Sequence, residues 1–254
     1  MIKIYYFSGT GNSLWSAKEI ARITGGELYN IGAEARKEPL LIEADAVVMV
    51  FPSYAYGLPL MARRFVQAAV FKTPYIAALV TYGSSPGGTL GALRRLLKGK
   101  GIARMFFGRV PAVENYLAMF GPPSARTVER RVLLQEQATA EAARAIIERR
   151  ENRVNTVRPF SVLISWLFSL GVRLFYRYYR LSADCNGCGV CAKICPAGAV
   201  VMKDGRPLFT PQCEHCQGCI NICPSRAIRF GRVKWGSPGY RHPRIAISEL
   251  GVNH

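Results

Sequence analysis

Eight cysteines lie between positions 185 and 223, and none lies elsewhere in the chain. They read Cys185-x2-Cys188-x2-Cys191-x3-Cys195-Pro and then Cys213-x2-Cys216-x2-Cys219-x3-Cys223-Pro, one spacing used twice. Thiolates are soft ligands, and short runs of four, each followed by proline, are the ligand pattern of an iron–sulfur cluster. A disulfide framework needs an oxidising compartment, and the opening MIKIYYFSGT lacks the long apolar region and small-residue cleavage site of a secretory signal. Zinc sites seldom use such runs in duplicate. Two residues between ligands let the backbone curl round a cluster with its amides toward the sulfurs. Gly187, Gly189 and Gly218 suit the positive-φ turns this needs, and Pro196 and Pro224 redirect the chain after each fourth cysteine.

A second group with chemical potential stands near the start. Ser8-Gly9-Thr10-Gly11-Asn12-Ser13 follows the apolar run 2–7 and precedes a helical pattern over 14–23. Hydroxyls and glycines at a helix N-terminus offer donors and the positive end of the dipole to a phosphate. No Walker-type lysine follows, and Leu14 replaces the third glycine of the dinucleotide fingerprint, which weakens ATP and NAD readings. A plain loop is the alternative.

The elements that must position these groups alternate. Apolar strands are expected over 45–51, 75–81 and 102–110, with helices over 58–69, 90–97 and 127–150. Such alternation implies a parallel sheet with right-handed crossovers and ligands beyond the C-terminal strand ends. The loops 8–13, 52–57 and 81–88 all fall at that edge. Between the cysteine runs, 200–202 and 207–209 flank Asp204-Gly205, a hairpin signal, and 227–230 supplies a further strand.

Together these features resemble a flavodoxin over roughly the first 150 residues and a bacterial-type two-cluster ferredoxin over the cysteine runs. The whole chain resembles the flavodoxin–ferredoxin fusion family. The resemblance implies an α/β fold: a flavodoxin-like, doubly wound, parallel five-stranded sheet plus a small α+β ferredoxin-like two-cluster domain. The units would be residues 1–152, a connecting apolar and basic helical segment 153–182, a 4Fe-4S domain 183–231 and a tail 232–254. It further implies two 4Fe-4S clusters and FMN. Three cysteines of one run would share a cluster with the last of the other, so Cys185, Cys188, Cys191 and Cys223 hold one, and Cys213, Cys216, Cys219 and Cys195 the other. Ser8, Thr10, Gly11, Asn12 and Ser13 would hold the flavin phosphate. Pro52, Ser53, Tyr54, Ala55, Tyr56 and Gly57, with Thr81, Tyr82, Gly83 and Gly87, would line the ring. Tyr54, Tyr56 and Tyr82 are the stacking candidates, and Gly57 matches the glycine that flavodoxins place beside flavin N5. Typical flavodoxins crowd carboxylates round the flavin. These three loops contain no Asp or Glu, which predicts a higher potential for the second one-electron step.

The formal charge of +18 suits an acidic redox partner, an anionic membrane surface or nucleic acid. No nucleic-acid motif is present, and none is expected as a ligand. Residues 159–172 carry no charge, a run too short to span a bilayer. After it, Arg173, Arg177 and Arg180 share one helical face, and Leu174, Tyr178 and Leu181 another. This reads as a packed connecting helix, or, less favoured, as a membrane-surface or partner-docking element. The basic stretch 226–244 reads as a solvated face, with His242 non-catalytic. The expected function is an electron relay between two clusters and FMN that couples one- and two-electron chemistry in an oxygen-poor cytoplasm. The rival is an FMN-dependent reductase of a small molecule fed by the clusters, with Tyr54, Tyr56, Tyr82 or Tyr116 as proton donor and 113–122 as lid. A homodimer pairing the flavin of one chain with the clusters of another is compatible with either.

Overall fold

Five apolar or β-rich segments pair side by side to build the larger unit. In the computed structural model, which describes residues 1–35, 40–154 and 159–251, these are β1 (Ile2–Tyr6), β2 (Glu27–Asn30), β3 (Ala46–Pro52), β4 (Tyr75–Tyr82) and β5 (Arg104–Pro111). Their order is β2-β1-β3-β4-β5, every pairing parallel. This is the flavodoxin-type doubly wound order, with its switch point between β1 and β3. Helices α1 (Asn12–Thr24), α2 (Leu60–Ala68), α3 (Thr89–Gly99) and α4 (Ala125–Ile147) supply the crossovers and cover. Val47, Met49 and Phe51 of β3 pack with α2 and α3, while Ala46, Val48 and Val50 pack with α1 and α4. Burial on both faces explains why the central strands read as continuous apolar runs rather than alternating ones. The edge strand β2, with sequence ELYN, escaped the sequence reading because it is short and largely polar.

The remaining chain forms helix α5 (Pro159–Phe175), strand β6 (Tyr179–Leu181), a helical turn α6 (Val190–Lys193), the hairpin β7 (Val200–Lys203) and β8 (Arg206–Phe209), a short helix α7 (Gly218–Ile222) and strand β9 (Ile228–Phe230). Asp204 and Gly205 both have positive φ at the hairpin tip, as a type I′ turn demands. Strand β9 pairs antiparallel with β6.

Two expectations need correction. The stretch 173–181 is not one amphipathic helix: α5 stops at Phe175, and Tyr179–Leu181 is a strand of the smaller unit. Tyr179 ends the helix there because its ring is buried against Phe209 and Phe230. The apolar segment is also longer than its uncharged core. The helical stretch Phe160–Tyr178, 19 residues with 11% of it buried, is long and apolar enough by length and composition to cross a membrane. The stretch 226–244 does present Arg226, Arg232, Lys234, Arg241 and Arg244 to solvent, and the tail is anchored between and beyond them. Tyr240, His242, Ile245 and Leu250 are buried, the last two packed with Leu14 and Ile20 of α1.

Candidate functional site

A cleft opens at the C-terminal edge of the sheet, lined by Ser8, Thr10, Asn12, Ser13, Pro52, Ser53, Tyr54, Thr81, Tyr82 and Gly83. Strand β1 ends in the loop whose Gly11, at φ +99°, forms the N-cap of α1, and no side chain caps that helix. Its first-turn amides have no intrahelical acceptor and carry the positive end of the dipole, which fits an anion. The loop is held by protein partners. Ser8 Oγ accepts from the Gly11 amide at 3.1 Å, Thr10 Oγ1 accepts from Asn115 Nδ2 at 2.7 Å, and Ser13 and Thr81 hydroxyls lie 2.8 Å apart. Asn12 donates to Val113 O at 2.9 Å and accepts from Tyr240 OH at 2.7 Å, so its side chain ties loops together.

Gly11, Ala55, Tyr56, Gly57 and Gly87 do not line the cleft. Gly11 faces His242 and Ile245 of the tail, and Gly87 packs on Tyr56. A Cβ on Gly57 would run into Ser165 of α5. Gly57 therefore makes room for that helix. The cleft's other wall comes from Val113, Glu114, Asn115, Tyr116, Phe168, His215 and Cys216. Glu114, outside the three acid-free loops, adds a carboxylate to this wall. Its carboxylate lies directly over Gly83 and accepts from the Asn115 and Tyr116 amides at 3.1 and 3.2 Å.

The cysteines gather in crossed quartets. Cys185, Cys188, Cys191 and Cys223 line one hollow, and Cys195, Cys213, Cys216 and Cys219 another. Backbone amides point at sulfur: Ala199 N to Cys195 at 3.2 Å, His215 N to Cys213 at 3.4 Å and Ala227 N to Cys223 at 3.4 Å. Burial pushes the Cys191 and Cys213 thiols up to about 11, and those of Cys216 and Cys219 higher still. Buried thiols so placed need cationic metal to ionise, as cluster ligands do. Four soft thiolates round each hollow are a donor set that fits an iron–sulfur cluster.

The second quartet abuts the cleft. A Cβ on Gly9 would meet Cys216 Sγ at 3.1 Å, and one on Gly218 would meet Gly9 O at 2.6 Å, so two glycines allow the loops to touch. Between them His215 is buried, with Nδ1 at 3.1 Å from Tyr179 OH and Nε2 at 3.3 Å from Tyr116 OH. Its ring packs on Phe230 and Phe175, and burial lowers its pKa to about 4, keeping it neutral. Glu214 accepts from the Leu60 and Met61 amides at the start of α2. Burial raises its pKa, opposed by those amides and by Arg64.

Residues 184–228 match the family model for a 4Fe-4S dicluster domain. The N-terminal part is similar to flavodoxin-like flavoproteins of known structure. A flavodoxin from the domain Archaea is 16% identical, covering 56% of this chain and 97% of its own, with a TM-score of 0.34. An azoreductase from Bacillus anthracis is 11% identical, covering 57% and 98%, with a TM-score of 0.38. A flavodoxin from Streptococcus pneumonia TIGR4 is 16% identical, covering 55% and 98%, with a TM-score of 0.35. No curated protein matches the sequence.

Proposed function

We propose that this chain is an electron-transfer protein that relays electrons between two 4Fe-4S clusters and FMN, coupling one- and two-electron chemistry. One observation carries the reading: Cys216, a member of the inner thiol quartet, lines the same cleft as the loop 8–13. Bound FMN would exchange electrons singly or in pairs, and each cluster would pass one at a time. The start of α1 with Ser8, Thr10 and Ser13 would hold the phosphate, and Tyr54 and Tyr82 would flank the ring. Phe168, Tyr116 and His215 wall the cleft on the cluster side. The outer quartet includes the exposed Cys188 and would be the port for a redox partner. With a net charge of +18, an acidic partner would be favoured.

The test is anaerobic purification with iron, sulfide and flavin quantification, followed by EPR of the reduced protein. About eight irons and one FMN per chain are expected from the ligand count. Air-free, reconstituted material that stays colourless and poor in iron would end the proposal.

One observation favours a second reading, an FMN-dependent reductase of a small molecule. Tyr116 lines the cleft, hydrogen-bonds His215, and has its pKa raised by burial, so it holds a proton through the neutral range. If this reading is right, Tyr116→Phe should slow reduction of a small acceptor while leaving flavin reduction by the clusters unchanged.

A further inference from the structure

Helix α5 turns its polar side inward. Ser161 is buried at 6% exposure and lies over Gly88, Ser165 fills the space over Gly57, and Val172 is buried at 1%. Outward it carries Phe160, Leu163, Leu167, Leu170 and Leu174, spaced by three or four residues so that they form one stripe, with Trp166 beside it. All six are between 52% and 71% exposed. A helix packed on a protein in water presents the reverse pattern. Here the face that should seek cover is the one left bare.

Charge selects what covers it. From 159 to 183 there is no acidic residue, and the stripe leads into Arg173, Arg177 and Arg180, all exposed. Arg173 lies near Glu214, whereas Arg177 reaches the ring and hydroxyl of Tyr176, and Arg180 donates to the Arg177 and Tyr179 carbonyls. We propose that α5 binds the surface of an anionic lipid bilayer. It lies in the plane of the interface, with its stripe at the acyl boundary and Arg177 and Arg180 against lipid phosphates. Its inner face is seated on the flavodoxin-like unit through Ser161 at Gly88 and Ser165 at Gly57, which favours lying on the membrane over crossing it. A second copy is a poorer occupant, because the contact would bring two chains of +18 charge together with arginines at its edge. This inference does not depend on the redox reading.

The test is co-sedimentation of the intact holoprotein with vesicles of phosphatidylcholine alone and of phosphatidylcholine mixed with phosphatidylglycerol. Binding is expected on the mixed vesicles, weakened by salt. Trp166→Glu with Leu170→Glu should abolish it while iron, flavin and far-UV circular dichroism are retained. Should that variant misfold, Arg177→Gln with Arg180→Gln decides independently, with affinity for mixed vesicles expected to fall about fivefold per arginine. The proposal is overturned if the wild-type protein stays in the supernatant, or if the arginine pair changes nothing. It is also overturned if light scattering shows a dimer that the Trp166 and Leu170 substitutions dissolve.

Discussion

The contact between the two redox units is set by single atoms. Gly218 has no room for a side chain, since a Cβ there would press on the Gly9 carbonyl at 2.6 Å, and the obstacle is backbone. Gly218→Ala should therefore push the cysteine run off the 8–13 loop at an overpacking cost of about 1–3 kcal/mol. Thermal unfolding and the flavin dissociation constant would record it, with weaker flavin retention at normal iron content. The quartets predict a contrast. Cys188→Ser, at the exposed outer hollow, and Cys216→Ser, at the cleft, should each lose about half of the iron, but only the latter should loosen flavin. Equal flavin release by both would contradict the assignment of inner and outer sites. The cysteines were legible from the sequence because ligand spacing is a local property, whereas the crossing of the quartets came from the resemblance to two-cluster ferredoxins. Glu114 and His215 were not legible as wall residues. They reach the cleft from positions more than 100 residues beyond the 8–13 loop, and a lone acid or histidine carries no local signal of such a meeting. Tyr116 had at least been singled out, through the lid-like segment 113–122.

At the level of elements, the tail is a clamp on the start of α1. The His242 amide donates to Thr10 O at 2.9 Å, its ring stacks on Trp15 at 5.1 Å, and Arg244 reaches over the same indole while pairing with Glu136. The imidazole is fully buried. Burial, aided by Arg244 and Arg241, lowers its pKa from 6.5 to about 4. In the unfolded chain it takes a proton near pH 6.5, and in the native chain only near pH 4. Its contribution to stability is therefore complete above pH 6.5 and is lost as the pH falls from there toward 4, by up to about 3 kcal/mol. His242→Phe, which keeps the stack, should flatten that part of the stability–pH curve in denaturant titrations. A curve parallel to that of the wild type would show that His242 is not the group responsible. The tail escaped the sequence reading for a physical reason. It packs through scattered anchors, Tyr240, His242, Ile245 and Leu250, held by turns with no repeating period. The strands of the sheet, buried on both faces, announced themselves, and only the polar edge strand β2 did not.

Across the whole molecule, the two units are interleaved rather than tethered. Helix α5 leaves the sheet unit only to lie back on its loops at Gly57 and Gly88, and the tail returns from the cysteine runs to α1. The second run also supplies polar ties. Glu214 holds the amides that begin α2, Gln217 accepts from the Leu117 amide at 3.2 Å, and Asn221 donates to Asn115 O at 3.1 Å. Each such tie is worth about 1 kcal/mol while its geometry is kept. That geometry depends on the fold of a segment whose own apolar core is small, led by Tyr179, Val200, Ile220 and Ile228, and small domains of this kind lean on metal for stability. Stripping iron from the protein should therefore weaken flavin binding, although no thiol need touch the flavin. Flavin release followed by fluorescence and cluster loss followed by visible absorbance should coincide in a thermal scan of the holoprotein. After iron chelation, flavin release should move to lower temperature, in keeping with the loss of a few such ties at about 1 kcal/mol each. If the iron-free protein instead held flavin through an unchanged transition, the sheet unit would be stable by itself, and the interleaving would be contact without coupling.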